Sequence, residues 1–313
     1  MGALFTGGII ACGLTVAGEQ TGSTTTIPTS DASASANGDA DPGTSVCTNT
    51  ATDPLNCGRC GHSCLGGNCV EGACQPFVFI GALKSPIGVA VDSQKLYWSA
   101  SGGIFSVPLA TGAPQTPEVV DAGNATTYLV VENNDVFWTR NIGALGSINA
   151  RTLPNGDVRN LFPFQDHVSG IAKVGPTIYF TRQWIDSLAK TLPDGGTEII
   201  TGSLSFPETV ATDGTMLYIA APGGYIFSVG LEGGKATTLA GPLLGEAPCG
   251  IAVSGDTLFI TLRDTGRVVS MPKTGGPLTE LAYQQPKPHG IAVDDKAIYW
   301  ANTVAGSIMR LAR

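Results

Sequence analysis

The chain has 313 residues; only 13% are charged, while 42 are glycine and 20 are proline. So little charge with so many turn formers excludes coiled coils and helical bundles and favours closely spaced short strands. The net charge is −8, and residues 76–313 hold 19 acids against 16 bases. That balance provides no broad positive field, so nucleic acid is not an expected partner.

Residues 1–11 (MGALFTGGIIA) are apolar and run directly into Cys12. They contain no Lys or Arg, which a secretory signal normally has, and eleven residues are too few to span a bilayer as a helix. Three schemes fit: a leader ending at a lipid-modified Cys12, a signal peptide with an incidental cysteine, or N-myristoylation of Met1-Gly2-Ala3-Leu4-Phe5-Thr6. Myristoylation would keep the chain in a reducing cytosol, which suits the downstream cysteines poorly. The run Ile9-Ile10-Ala11-Cys12 resembles the bacterial lipobox, in which a small residue precedes the acylated cysteine. The resemblance implies an exported lipoprotein, held at the outer membrane or cell surface through Cys12; simple secretion is the alternative. The membrane is then reached through the lipid only. Residues 12–46 are rich in Ser, Thr, Gly, Ala and Asp, too polar to fold, and form a tether reaching on the order of 30 Å.

Residues 47–75 carry six of the eight cysteines: Cys47, Cys57, Cys60, Cys64, Cys69 and Cys74. Three aliphatic side chains among them (Leu55, Leu65 and Val70) cannot make a core, so cross-links must. Three disulfides are expected, in any of 15 pairings. Zinc is the rival, since Cys57-x2-Cys60 and Cys60-x3-Cys64 have ligand spacing. Six thiols exceed one tetrahedral site, however, and an oxidising compartment would bridge them. His62 reads as a solvated loop residue rather than a ligand. The segment Asn56-Cys57-Gly58-Arg59-Cys60-Gly61-His62-Ser63-Cys64, followed by Gly67, Cys69, Gly72 and Cys74, resembles the stigma-specific (Stig-type) cysteine-rich repeat. It is also similar to modules in secreted myxobacterial proteins. The resemblance implies an extracellular interaction module, not a reaction.

From residue 76 one unit recurs six times. Its aromatic-pair positions are Tyr97-Trp98, Phe137-Trp138, Tyr179-Phe180, Tyr218-Ile219, Phe259-Ile260 and Tyr299-Trp300, spaced 40, 42, 39, 41 and 40 residues apart. Each is preceded by a short apolar strand, such as Gly88-Val89-Ala90-Val91 or Gly290-Ile291-Ala292-Val293, and followed by two more strands with a glycine-rich turn between them. This period and content predict an all-β fold: a six-bladed β-propeller of four-stranded blades over 76–313. The aromatic pairs read as core. The last unit ends after three strands at Arg313, so Phe77-Val78-Phe79-Ile80 is expected to supply the fourth and close the ring. The period, the G-I-A-V-D segments and the Y-W pairs resemble the six-bladed YWTD and NHL propellers.

Binding in such a ring is expected where loops enter each first strand and join the second strand to the third. The first set offers Ile87, Thr127, Ser169, Glu208, Cys249 and His289, one per blade; the second offers Arg140, Arg182, Trp184, Arg263, Asp264 and Asn302. Guanidinium groups suit a carboxylate or sulfate, and Trp184 suits a sugar or peptide face. The expected function is therefore recognition of a polar or anionic ligand, or of a protein, by a monomeric propeller without cofactor or metal. The alternative is a lyase- or hydrolase-like enzyme using His289 and Glu208 as acid and base. That variant resembles the streptogramin lyases, which use a histidine on a seven-bladed propeller. Cys249 reads as a shielded thiol with no partner and His167 as a surface residue. Asp92, Glu132, Asp213 and Asp294 follow first strands and read as turn residues rather than calcium ligands. No G-x-S-x-G, H-E-x-x-H or phosphate-cradling loop is present.

Overall fold

Adjacent residues of a strand point to opposite sides of the sheet, and the aromatic pairs turn that rule into an assembly principle. A computed structural model describes residues 47–110, 116–123, 126–142 and 145–313. In it six four-stranded antiparallel sheets form the blades. Tyr97 of blade 1 packs with Trp138 of blade 2, Phe137 with Phe180, and Tyr179 with Ile219. The series continues with Tyr218 and Ile260, Phe259 and Trp300, and finally Tyr299 of blade 6 with Trp98 of blade 1. Each pair thus sends one side chain into each neighbouring gap, and six apolar clusters fill the six gaps. All twelve side chains are buried. Each large one contributes on the order of 2–3 kcal/mol by leaving water.

The blades span 89–121, 126–166, 168–201, 209–240, 248–282 and 288–312 in their regular strands. The sixth has only three consecutive strands, and Phe77–Ile80 pairs antiparallel with Ser307–Ala312 to complete it. Its register sets Ile80 opposite Ile308 and Phe77 opposite Arg310. Arg310 is buried, with its guanidinium 5.4 Å from the Phe79 ring and 5.5 Å from the Tyr299 ring. Closing strand and last strand are therefore joined by backbone bonds and by a desolvated cation–π contact. The expected closure is what the structure has.

A second set of contacts links the blades near the axis. A Ser or Thr follows the aromatic pair in blades 1, 2, 3 and 5, and its hydroxyl donates to a main-chain oxygen of the next blade. Ser99 reaches Thr127 and Thr261 reaches His289, while Thr139 reaches Ser169 at 2.6 Å and Thr181 reaches Glu208 at 3.0 Å. Blade 4 has Ala220 at that position, and Thr209 supplies the hydroxyl instead, 2.6 Å from the oxygen of Cys249. Blade 6 has Ala301, and the amide of Gly290 donates directly to Ile87 at 2.8 Å. Six bonds therefore circle the ring, and the acceptors are the six loop positions that sequence periodicity singles out.

The turns after the first strands of blades 1, 4 and 6 are capped as expected, whereas Glu132 of blade 2 ends its strand and pairs with Lys173. The Oδ1 atoms of Asp92, Asp213 and Asp294 accept backbone amides two and three residues on. Their Oδ2 atoms accept the hydroxyls of Tyr97, Tyr218 and Tyr299 at 2.9, 2.9 and 3.1 Å. Burial, and then the Asp213 bond, push the Tyr218 hydroxyl up to about 12.

The cysteine module pairs Cys47 with Cys60, Cys57 with Cys69 and Cys64 with Cys74. Cys57, Cys64 and Cys74 bring their sulfurs within 4.8 Å of one another, but each sits in a bridge, so none offers a thiolate to zinc. His62 is not the solvated residue expected. It is half-buried, with Nδ1 2.6 Å from the oxygen of Cys57 and Nε2 2.7 Å from that of Arg313. Arg313 in turn donates to Ser254 and to the Asp294 oxygen at 2.8 Å each, tying blade 5 to blade 6. Leu65 packs into the cluster between blades 6 and 1, and Cys74 into the one between blades 5 and 6. The module thus sits directly on the ring closure, two residues before the closing strand. No helix among the described residues is long and apolar enough to cross a membrane. The leader, the acylation of Cys12 and the tether over 1–46 lie outside the described residues.

Replacing both Cys64 and Cys74 with Ser is expected to cost about 2–4 kcal/mol and to lower the melting temperature of the propeller itself. Near-UV circular dichroism of the buried tryptophans would report it; an unchanged propeller transition would mean that the module does not support closure.

Candidate functional site

At the axis the first strands of blades 1, 2, 3 and 5 share a hydrogen bond, in which the residue after the loop position donates its amide to the Ser or Thr of its own blade. Gly88, Gly170 and Gly250 do so at 2.7–2.8 Å. A Cβ is excluded at Gly250 and Gly290, because it would lie 2.2 Å and 2.4 Å from the main-chain oxygens of His289 and Ile87. Blade 2 departs from this pattern: the same amide position is Tyr128, bonded to Thr139 at 3.3 Å.

The Tyr128 hydroxyl lies 3.1 Å from Glu208 Oε1 of blade 4 and 2.9 Å from His289 Nδ1 of blade 6. A side chain from blade 2 touches blades 4 and 6 together only by standing on the axis. The ring also stacks on His289, centroids 5.7 Å apart. Ser169 of blade 3 donates to Glu208 Oε1 at 3.3 Å, and Gln183 donates to Oε2. With the phenol proton directed to Glu208, the phenol oxygen accepts from His289 Nδ1–H, which gives the chain His289 to Tyr128 to Glu208. Burial pushes the Glu208 carboxyl up to about 7, against the bonds from Tyr128 and Ser169, the Arg263 charge and the Gln183 bond. Burial and the Glu208 charge push the Tyr128 hydroxyl well above its ordinary range.

Below this cluster lies a cavity of about 50 Å³, lined by Val89, Leu129, Ile171, Val210, Ile251 and Ile291, one aliphatic side chain per blade. It has room for a few water molecules but is well below the size of a cavity that takes a benzene ring. Tyr128 therefore plugs an apolar channel.

The structure brings Glu208 and His289 together as the periodicity implied, but both are buried, at 5% and 2% exposed. The arginines are engaged rather than open. Arg140 meets Asp121 at 2.6 Å, Arg182 meets Asp166 at 2.9 Å, and Arg263 meets Asp264 at 2.8 Å. Asn302 stands at the register position of Arg140 and Arg182 but is buried, donating to Gln285 at 2.9 Å. Trp184, at 55%, and Asp264 are the exposed members of the set. Two further expectations are corrected. Cys249 is fully buried but forms a disulfide rather than standing as a lone thiol. His167 is half-covered, stacked beneath Trp184 at 4.0 Å. Tyr128 and Gln183 were not foreseen. The signal for Tyr128 was present, since it is the one bulky residue aligned with Gly88, Gly170, Thr209, Gly250 and Gly290.

Fold and site together define a six-bladed propeller whose axis is sealed by a phenol, a carboxyl and an imidazole. No protein-family model and no curated protein sequence matches the chain. Solved structures do. Virginiamycin B lyase from Staphylococcus aureus aligns with a TM-score of 0.57 at 16% identity, over 76% of this chain and 98% of that one. A nidogen/laminin complex aligns at 0.63 and 21%, over 70% and 89%. The PQQ-bound aldose sugar dehydrogenase from Streptomyces coelicolor aligns at 0.58 and 12%, over 76% and 98%. At these identities the likeness is one of fold, and it spans enzymes and a non-enzyme alike.

Two outcomes follow. Glu208 holds its proton up to about pH 7 when folded but releases it near 4.5 when unfolded, so its contribution is full below about pH 4.5 and fades as pH climbs through 7. The difference is on the order of 3 kcal/mol. Glu208→Gln should flatten the fall in melting temperature between pH 5 and 8, and an unaltered slope would refute the assignment. Arg140→Ala strands Asp121, whose side chain is only 9% exposed, whereas the partner of Arg182 is 58% exposed. Denaturant unfolding should show a loss of about 3 kcal/mol for the first and under about 1 kcal/mol for the second.

Proposed function

We propose that this chain is an exported, non-catalytic recognition protein that holds its ligand on the loop rim of the propeller and not in the channel. The observation that carries this reading is where exposed apolar surface lies. Of the thirteen large apolar side chains exposed among the described residues, seven are spread over the cysteine module, the outer strands and other turns, while Trp184, Ile185, Phe206, Leu244, Tyr283 and Val304, between 44% and 88% exposed, lie together. All six sit on loops that enter a first strand or join a second strand to a third, hence on one face. Solvent-facing apolar side chains gathered on one face mark an interaction surface. The axis beside them is closed by groups that already satisfy one another, and Arg140, Arg182 and Arg263 already have carboxylate partners. Anion capture by these arginines is therefore set aside in favour of the rim.

The three disulfides fit an oxidising, extracytoplasmic setting. The proposal is thus of a monomeric propeller displayed outside the cytoplasm. The enzyme reading retains one favourable observation, a carboxyl tuned to about 7 and linked through Tyr128 to His289. It requires substrate to reach atoms that are now covered.

The test uses the immobilised full chain and the envelope and secreted fractions of its source. A Leu244→Ser, Tyr283→Ser, Val304→Ser variant should lose most of what the wild type retains, without a change in melting temperature. Retention that survives these changes, or that depends on Glu208, would overturn the rim reading. Turnover abolished by His289→Ala would establish the enzyme instead.

A further inference from the structure

The rim is not uniform: its most constrained corner lies between blades 3 and 4. Trp184 sits in a short 3-10 turn, Gln183–Ile185, that is ended by Asp186 with φ 49°. Asp186 Oδ1 accepts the amide of Phe206 at 2.6 Å, and its main-chain oxygen accepts the amide of Leu204 at 3.0 Å. The loop so held contains Ser203, Ser205 and Phe206 at φ 60°, 53° and 62°, and His167 on the other side has φ 41°. Five of the fourteen non-glycine residues with positive φ among the described residues lie at this corner; His167 and Phe206 share a turn position with Ser85, Ala247 and Lys287, and Ser203 shares one with Ala82 and Gln284, so Asp186 and Ser205 are peculiar to it. Left-handed backbone of this kind costs on the order of 1 kcal/mol or more per residue and persists where surroundings over-determine it, commonly at ligand clamps.

The constraint has a shape. His167 lies flat beneath the indole, 4.0 Å away and 10° from parallel, so one face of Trp184 is backed and the other meets solvent. Asp166, the residue before His167, is more than half exposed and bonded to Arg182 at 2.9 Å. The Nε of Arg182 is buried without a hydrogen-bond partner. A rigid single-faced aromatic plane stands next to a planar carboxylate–guanidinium pair.

We propose that this corner is a carbohydrate subsite, in which the apolar face of a pyranose ring stacks on Trp184 and its edge hydroxyls bond to Asp166 and Arg182. The proposal rests on the rim reading and gives it a ligand class. A pyranose matches on both counts, because it presents a flat face of C–H groups and a perimeter of hydroxyls that donate and accept. Charged partners make the stronger hydrogen bonds, and an indole held in place loses little freedom on binding. A protein anchor would instead need a concave apolar pocket, and the cavity described lies on the axis beneath Tyr128.

The chain supplies its own probe. Of four tryptophans, Trp98, Trp138 and Trp300 are at most 1% exposed, so Trp184 dominates the iodide-quenchable emission. The full chain is titrated with cello-, malto-, xylo- and chito-oligosaccharides while quenching is followed. One series is expected to protect the emission saturably. Trp184→Ala should weaken binding at least about tenfold by calorimetry, Trp184→Tyr should retain part of it, and Asp166→Asn should weaken it several-fold at unchanged melting temperature. No protection by any series, or binding indifferent to both Trp184→Ala and Asp166→Asn, would overturn the proposal. Retention of a protein that the Leu244, Tyr283 and Val304 changes abolish, without sugar binding, would sink the subsite and leave the rim reading standing.

Discussion

Each blade holds the next by two contacts with different geometry, and the rest of the molecule depends on that pairing. The aromatic pair fills the gap on both sides of a sheet, which sets the distance between blades but leaves them free to slide. The hydroxyl-to-carbonyl bond near the axis removes the sliding, because it is directional and its acceptor is a main-chain atom. Where the hydroxyl is missing, at Ala220 and Ala301, another donor from the same blade takes its place. An unpaired carbonyl buried between blades would cost about 1–3 kcal/mol, which explains why the bond survives changes in the residue that makes it. The consequence for function is positional. Glu208, His289 and Ser169 are placed by their own backbone oxygens, so their side chains converge without any loop having to fold over them.

What could be read from sequence follows the same division. The aromatic pair recurs every 40 residues or so because packing repeats in every gap, and a repeated demand leaves a repeated trace. Closure by Phe77–Ile80 was legible for the complementary reason, as one strand too few at one end and one too many at the other. The site was legible only as far as it shares the repeat. Periodicity aligned Glu208 with His289, but Tyr128 differs from its counterparts and was read as ordinary strand. The arginines misled for another reason. Asp121 and Asp166 lie 19 and 16 residues before Arg140 and Arg182, at the ends of the fourth strands of blades 1 and 2, which carry no repeated residue that would mark them as partners. The same holds for His62, whose second contact is 251 residues away at Arg313. Pairing within the cysteine module was likewise beyond spacing, which leaves 15 arrangements open.

A buried carboxyl, phenol and imidazole on the axis of an otherwise aliphatic channel would be costly if any of them lacked a partner. Here Glu208 accepts three donors and Tyr128 serves both Glu208 and His289, so the cluster stabilises its own closed state. Opening the channel by moving Tyr128 would leave Glu208 short of one donor, leave His289 Nδ1 without the phenol, and uncover an aliphatic ring. No ligand of ordinary size compensates for that. The axis is thus better suited to joining blades 2, 4 and 6 than to admitting a molecule.

That closed axis moves the question of recognition outward, and the backbone there has a distribution of its own. Regular strands hold their residues in extended conformation at little cost, whereas the corner at Trp184 keeps His167, Asp186, Ser203, Ser205 and Phe206 in left-handed backbone. Glycine would relieve each of them, and 42 glycines elsewhere in the chain show that the residue is freely used. Three of the five belong to the turn that leads into each first strand, since Ser85, Ala247, Lys287, Ala82 and Gln284 repeat their positions elsewhere, and Asp186 and Ser205 are added at this corner. The strain is sustained by specific bonds, from Asp186 to Phe206 and Leu204, and by the stack of His167 on Trp184. The proposed recognition site therefore rests on a ring held by its loops, beside a channel closed by its own side chains.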